Sequence, residues 1–388
     1  MTERIEAGGF CVSKWKKKMT VLFTVLILMV AIQPAVSADQ ADELFSETMR
    51  ARVLAVEDKA ETGHFFKTQR VTLEIYTGSL RGKIMTVDNH LSDNPVYDVP
   101  VKPGDRVLMI QEEMSPGEME FYIADYIRDT SILVILGIFV AMLLVIGRWK
   151  GLKTIITLAI TFFMIIRVLL PGMLQGYPPT LLTVGVSFII TLVTIVLING
   201  FNVKSMAAII GIFGGLLAAG LVMFLVGSQV RLTGLSSEEA IMLMYIPQDV
   251  SFDFRDLLFA GIIMGALGAV MDVGISISSA MTEIHRVNPA VSSGQLVKSG
   301  MNVGRDIMTT MSNTLILAYT GAALPLLLLF MAYETPVIKI MNMDLIATEI
   351  VRALSGSIGL LLTIPLTVVA SAFLLKRQSD TPSPVKSE

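Results

Sequence analysis

The sequence predicts a polytopic α-helical membrane protein with a small extracytoplasmic β-rich, OB-like domain. Three observations predict it. The 388 residues are 53% hydrophobic and only 16% charged, with mean hydropathy +0.68, whereas average soluble domains are about 25% charged. From Ile132 onward, apolar runs recur at lengths near the about 20 residues that a bilayer crossing needs. Between residues 39 and 129 both charge signs and strand-like alternation return.

The composition also excludes several classes. A disordered chain cannot be this apolar. The single cysteine, Cys11, forms neither an internal disulfide nor a thiolate metal site. His64, His90 and His285 are too scattered for a histidine metal centre. A formal net charge of -3 without a basic stripe argues against nucleic-acid binding. No cofactor motif is present.

Residues 1–18 carry Arg4, Lys14, Lys16, Lys17 and Lys18; an apolar run from Thr20 to Ile32 follows, then Val36-Ser37-Ala38. A positive start, a short apolar run and small residues at a cleavage-like site read as a signal peptide, or as an uncleaved signal anchor. Residues 39–129 hold five strand-like stretches: Arg52–Val56, Arg70–Tyr76, Gly82–Val87, Val99–Ile110 and Phe121–Ile127. A loop is expected at Asp88–Asn94, and Pro103-Gly104-Asp105 is a turn signal. Five short strands in this length suggest a small barrel. With no aromatic platform or basic cluster, it reads first as a β-domain without a ligand.

Seven spans follow, at roughly 130–147, 153–174, 180–199, 206–228, 257–282, 308–331 and 350–375, which makes 130–376 a seven-helix domain and 377–388 a tail. Lysine and arginine placement sets the orientation. Arg148, Lys150, Lys153, Lys204, Arg286, Lys298, Arg305, Lys376, Arg377 and Lys386 fall in one set of segments; the other set holds only Arg231, Arg255 and Lys339. The expected location is therefore the bacterial plasma membrane, multi-pass, with the C-terminus cytoplasmic and the β-domain outside.

Ionisable residues inside apolar spans are costly, by at least about 2.5–3.5 kcal/mol on insertion scales, and so are informative. In the fifth span Gly261, Gly265, Gly268, Asp272, Ser276, Ser279 and Glu283 recur at intervals of four and three, which places them on one helical face. Asp272 lies 15 residues beyond Leu257, or ~22 Å at 1.5 Å per residue, near the membrane midplane. Asp306, Asn313 and Thr320, with Thr309 and Thr310, mark the sixth span. Glu349, Arg352, Gly356, Gly359 and Thr363 mark the seventh. Such faces are expected to turn toward each other or toward a hydrated cavity.

Each candidate has a plainer alternative. Gly211, Gly214, Gly215 and Gly220 read as helix-packing residues. Arg167 can snorkel outward. Glu349 and Arg352 can be a local ion pair, and Glu283 and Asp306 can be solvated. Asp272 is too short to snorkel from its depth, so its alternative is a buried structural hydrogen bond. Burial favours the neutral form of a carboxyl group, which brings proton exchange toward neutral pH. Ser276, Ser279, Thr310 and Asn313 can hydrogen-bond either protonation state or offer oxygen to a cation. No metal site is expected. The lipid bilayer is the evident partner, and glycine faces suit a homo-oligomer or a second membrane subunit as well as internal packing.

The segment Gly265–Ile284, which reads GALGAVMDVGISISSAMTEI, resembles the most distinctive stretch of the YibE/F family. Asn313–Pro325 and Glu349–Leu360 resemble its other characteristic stretches. The resemblance covers most of 120–375 and, more loosely, the β-domain. It implies a bacterial membrane-embedded protein and little about activity. A weaker similarity links Ala269–Ile277, with Glu283–Arg286, to the Asp-containing helix of SecD/SecF and resistance-nodulation-division transporters, which belongs to a proton-driven membrane core. The usual context of that helix is altered here, with Ser and Gly dominant.

Two functional readings follow. One is a proton- or cation-coupled transporter or export-assisting protein using Asp272. The other is a membrane scaffold or sensor whose β-domain binds a partner. An enzyme is not expected: there is no Gly-x-Ser-x-Gly elbow, no His-Glu-x-x-His helix and no phosphate loop.

Overall fold

The computed structural model describes residues 47–59, 67–92, 94, 97–115, 118–246 and 252–379. The expected leader or anchor at 1–38 lies outside them, as do Cys11, His64 and Lys386. The chain divides into two compact units, residues 1–135 and 136–388.

In the first unit five antiparallel strands, β1 (Glu47–Lys59), β2 (Lys67–Ile75), β3 (Ile84–Leu91), β4 (Arg106–Ser115) and β5 (Glu118–Tyr126), lie in the order β3-β2-β1-β4-β5. Alternation sends Met49, Ala51, Val53, Val71, Leu73, Ile75, Val87, Val107, Met109 and Ile123 to one face, where they form the core. A bulge between Val53 and Ala55 helps to bend the sheet. The result is a half-barrel rather than a closed barrel, with β3 and β5 as its outer strands.

The turn signal at Pro103-Gly104-Asp105 closes as a type II turn. Gly104 takes φ 97°, Asp105 N–H reaches the Lys102 carbonyl at 3.1 Å, and Asp105 Oδ2 accepts from Lys102 N–H at 2.8 Å.

Two strand limits differ from expectation. Asp88, Asn89 and His90 are not in a loop; they extend β3 opposite Arg70, Gln69 and Thr68. Their polar side chains find partners, which offsets their weak strand propensity. Arg70 Nε pairs with Asp88 Oδ1 at 3.2 Å, and Thr68 Oγ1 lies 3.1 Å from His90 Nδ1. Asn89 Nδ2 donates to the Val99 carbonyl at 2.9 Å, and Gln69 Oε1 accepts from Val101 N–H at 2.9 Å. Residues 99–101 are thus held by side chains, and β4 starts only at Arg106.

The second unit is helical. Its elements are α1 (Asp129–Met164, beginning in the first unit), a π-helical turn (Ile165–Leu169), α2 (Leu170–Leu174), α3 (Pro179–Asn199), α4 (Val203–Val230), α5 (Glu238–Met242), α6 (Phe254–Val287), α7 (Ser293–Ala322), α8 (Leu324–Ala332), α9 (Val337–Met341) and α10 (Asp344–Ser379). Local sequence explains several starts. Asn202 caps α4 through Ser205 N–H, Asp253 caps α6 through Arg255 and Asp256 N–H, and Ser292 and Gln295 form a capping box on α7. The π turn has Leu170 N–H bonded to the Ile165 carbonyl; Pro171 comes next and has no N–H to continue the ladder.

Among the described residues five helical stretches are long and apolar enough to cross a membrane, or six if α7 and α8, bent by 59°, are one span. Seven spans were expected. The first two fall together in the stretch Asp129–Leu174, which is broken at Arg148, where φ is 47° and ψ is -125°. The chain doubles back there: a Cβ on Gly151 would collide with the Leu143 carbonyl, eight residues earlier.

The bundle is centred on α4, α6 and α10. Ile212, Val270, Val273, Ile277, Leu360, Ile364 and Val368 meet in its core. The closest approach is α4 against α10, where Thr367 and Thr363 side chains sit over Gly211 and Gly215, and Gly359 faces Ala219. Small residues let the two backbones come together.

Candidate functional site

Contacts within the second unit sort the helix ends into two groups. Thr180 N–H donates to Asp256 Oδ2 at 3.1 Å, joining the starts of α3 and α6. Thr233 Oγ1 donates to Asp344 Oδ2 at 2.7 Å, and Arg255 Nε to the Leu232 carbonyl at 3.0 Å. These acids and loops share one end. At the other end Lys153 Nζ donates to the Ile198 carbonyl at 3.3 Å. Helix direction brings Lys204, Arg286, Lys298, Lys376 and Arg377 to that same end. The bundle is therefore polarised, with most of its bases at one end.

α6 runs between the ends. Val270, Val273, Gly274, Ile277 and Met281 are buried against its neighbours. Its opposite face carries Gly261, Gly265, Gly268, Asp272, Ser276 and Glu283, all exposed, with Ser279 half-buried. The stripe read from spacing is thus one face of a helix, and apart from Tyr319 near Gly265 that face is open among the described residues. A Cβ on Gly261 or Gly268 would meet nothing within 4 Å.

The partners are few. Ser279 Oγ donates to the Ile275 carbonyl at 2.6 Å, within its own helix. Glu283 pairs with Arg286 at 2.5 Å. Among the described residues no hydrogen bond or ion pair holds the Asp272, Ser276 or Asn313 side chains. Asp272 therefore has neither of the two settings expected for it, a polar cavity between spans or a sealed structural hydrogen bond.

Nor do the three polar faces converge. On α7, Asp306, Thr309, Thr310, Asn313 and Thr320 are exposed, opposite the buried Gly300, Gly304 and Leu315. Thr310 Oγ1 returns to the Ile307 carbonyl at 3.0 Å. On α10, Gly359 and Thr363 turn into α4, and Gly356 packs beside Leu315 and Ala266. The α10 face is thus spent on helix packing. Glu349 and Arg352 form an ion pair at 2.6 Å, part-buried. Arg167 is exposed, inside the π turn.

One residue escaped the sequence reading. The Tyr319 hydroxyl lies 3.0 Å from where a Gly265 Cβ would stand. The signal available was a tyrosine within an apolar span. It places a phenol two turns from Asp272 on the α6 stripe. No metal-binding cluster of His, Cys, Asp and Glu occurs among the described residues.

Comparison with known proteins gives two family matches. Residues 135–377 match the YibE/F-like protein family, and residues 45–126 match the YibE/F family N-terminal domain. No curated protein and no solved structure matches the chain. The apolar helices fit a membrane protein, the two matches fall one in each compact unit, and the chain belongs to the YibE/F family.

Proposed function

We propose that this chain is a multi-pass protein of the bacterial plasma membrane that couples proton or cation movement to transport or to export assistance, with Asp272 as the ion-handling group. The observation that carries this reading is a carboxyl group midway along an apolar helix, on an open face, with no hydrogen bond or ion pair among the described residues. An acid that costs energy in lipid and makes no hydrogen bond or ion pair among the described residues adds little to the fold, which supports a role other than packing. Ser276 lies one turn away on the same face and Tyr319 lies toward the acidic end, so polar groups flank Asp272 on both sides.

The polarised bundle supports an orientation with the basic end, and with it the C-terminus, in the cytoplasm. The β-domain enters α1 at the helix end away from the Arg148 turn, which supports an extracytoplasmic position for it. The proposed role is non-enzymatic and needs no cofactor.

Proteoliposomes under an imposed pH gradient test the reading. Wild type is expected to show proton-linked flux, and Asp272→Asn to lose it by at least tenfold. Equal flux from the two proteins would reject Asp272 as the coupling group. The second reading, a scaffold whose β-domain binds a partner, draws on the outer strands β3 and β5, each paired on one side only. Flux absent from wild type, with a partner captured by the intact protein and lost on mutation of β3 or β5 edge residues, would favour it.

A further inference from the structure

The uncovered face of α6 adjoins a second uncovered face, on α7. The two helices run antiparallel. Met281 packs on Gly300 and Ile277 on Gly304, while Ala266 and Leu315 meet at Gly356. Each step along α6 is matched by one step back along α7, so Ser276 is level with Arg305, Asp272 with Thr309, and Gly268 with Asn313. Asp272 is an acid that no hydrogen bond or ion pair holds among the described residues. Arg305, exposed on α7 beside the exposed Asp306, donates to Asn302 Oδ1 at 3.1 Å, its one side-chain hydrogen bond among the described residues. The two charges stand one helical turn apart in level, yet Arg305 points away from the bundle core and does not reach Asp272 within the chain.

We infer that a second copy of this chain covers the α6–α7 face, with Arg305 of each copy paired to Asp272 of the other. A two-fold axis normal to the bilayer keeps every residue at its own depth. The level relation found within one chain then carries over between copies, and Arg305 of the second copy arrives one turn from Asp272, within reach of an arginine side chain. The contact is isologous, so one match of charge is made twice.

The glycines point the same way. Gly211, Gly215, Gly300, Gly304 and Gly359 each lie under an atom of another helix. Gly261 and Gly268 lie under nothing. The α4–α10 contact shows how this chain uses such a face: glycine receives threonine. On α7 the exposed Thr309, Asn313 and Thr320 form a ridge of that kind. The inference takes from the functional reading only that α6 and α7 cross the bilayer, and holds whether or not Asp272 moves ions.

Two full-length chains with different tags, one carrying Gly268→Cys and the other Asn313→Cys, both in a Cys11→Ser background, are co-expressed and oxidised in isolated membranes. A crosslink between the two tags can only be intermolecular. Efficient formation of that product is expected, falling at least fivefold when Gly261→Leu, at a glycine with no atom of its own chain within 4 Å, is added to the Gly268→Cys chain. Photobleaching of labelled protein in nanodiscs is expected to show two steps. Asp272→Arg and Arg305→Asp are each expected to give one step, and the double exchange to restore two. Restoration excludes simple misfolding as the cause. One-step bleaching of wild type, crosslinks to other proteins without the two-tag product, or a double exchange that stays at one step would overturn the inference.

Discussion

The Thr367 hydroxyl occupies the space that a side chain on Gly211 would need. This one relationship brings α4 and α10 together along their length, and it recurs one turn away with Thr363 over Gly215. Gly211→Leu is therefore expected to destabilise the protein by about 1–3 kcal/mol or more, the usual scale of overpacking. Gly268→Ala meets no atom and gains helix propensity, so it is expected to stabilise the single chain by about 0.5–1 kcal/mol. Thermal unfolding of both variants in detergent micelles checks the contrast. Similar losses from both would show that the two glycine faces are not different in kind.

Arg148 holds φ 47° and ψ -125° at the turn between the first two apolar segments. Glycine adopts that conformation without steric cost, and strain of this type is about 1–3 kcal/mol. Arg148→Gly is expected to raise the unfolding midpoint and Arg148→Val to lower it. The midpoints of the two variants against wild type decide; a lower midpoint for Arg148→Gly would mean that the guanidinium itself holds the turn.

Acid is expected to weaken the β-domain through one identifiable group, Glu47. The Ser79 hydroxyl, and then the Ser79 N–H at 2.8 Å, hold the Glu47 carboxyl below the ordinary carboxylate range. A carboxyl whose folded pKa is lowered adds stability above its unfolded value and loses it as the pH falls through the folded value. Protection of β1 amides against hydrogen exchange is thus expected to weaken on acidification in wild type, and to weaken less in Ser79→Ala. Parallel pH profiles for the two proteins would remove Glu47 from the account.

Asn89 and Gln69 fasten residues 99–101 to the sheet. Asn89→Ala leaves the Val99 carbonyl without its 2.9 Å donor, at a cost of about 1–3 kcal/mol if the group stays shielded from water. Faster limited proteolysis between Asn94 and Arg106 is the expected readout, with the rest of the chain unchanged.

Much of the architecture was legible because it follows from local periodicity. The period-two stretches located all five strands, and the apolar runs located the helices that can cross a membrane. The spacing of Gly261 through Glu283 identified one face of α6, since 3.6 residues per turn is a property of the helix alone. Family membership was legible from the same segments.

What occupies each face was not legible. On α10, Gly359 and Thr363 turned to α4, some 140 residues earlier in the chain, while Gly356 met Leu315 of α7 and Ala266 of α6. The α6 stripe was left open, Tyr319 was brought beside Gly265, and Asp88–His90 became strand because Thr68, Gln69 and Arg70 stood opposite. The sequence determined which residues share a face; tertiary packing decided which faces are filled. The reason is physical: a helical or strand period is set by neighbouring backbone dihedrals, whereas the neighbour across a face is chosen by the fit of surfaces distant in the chain.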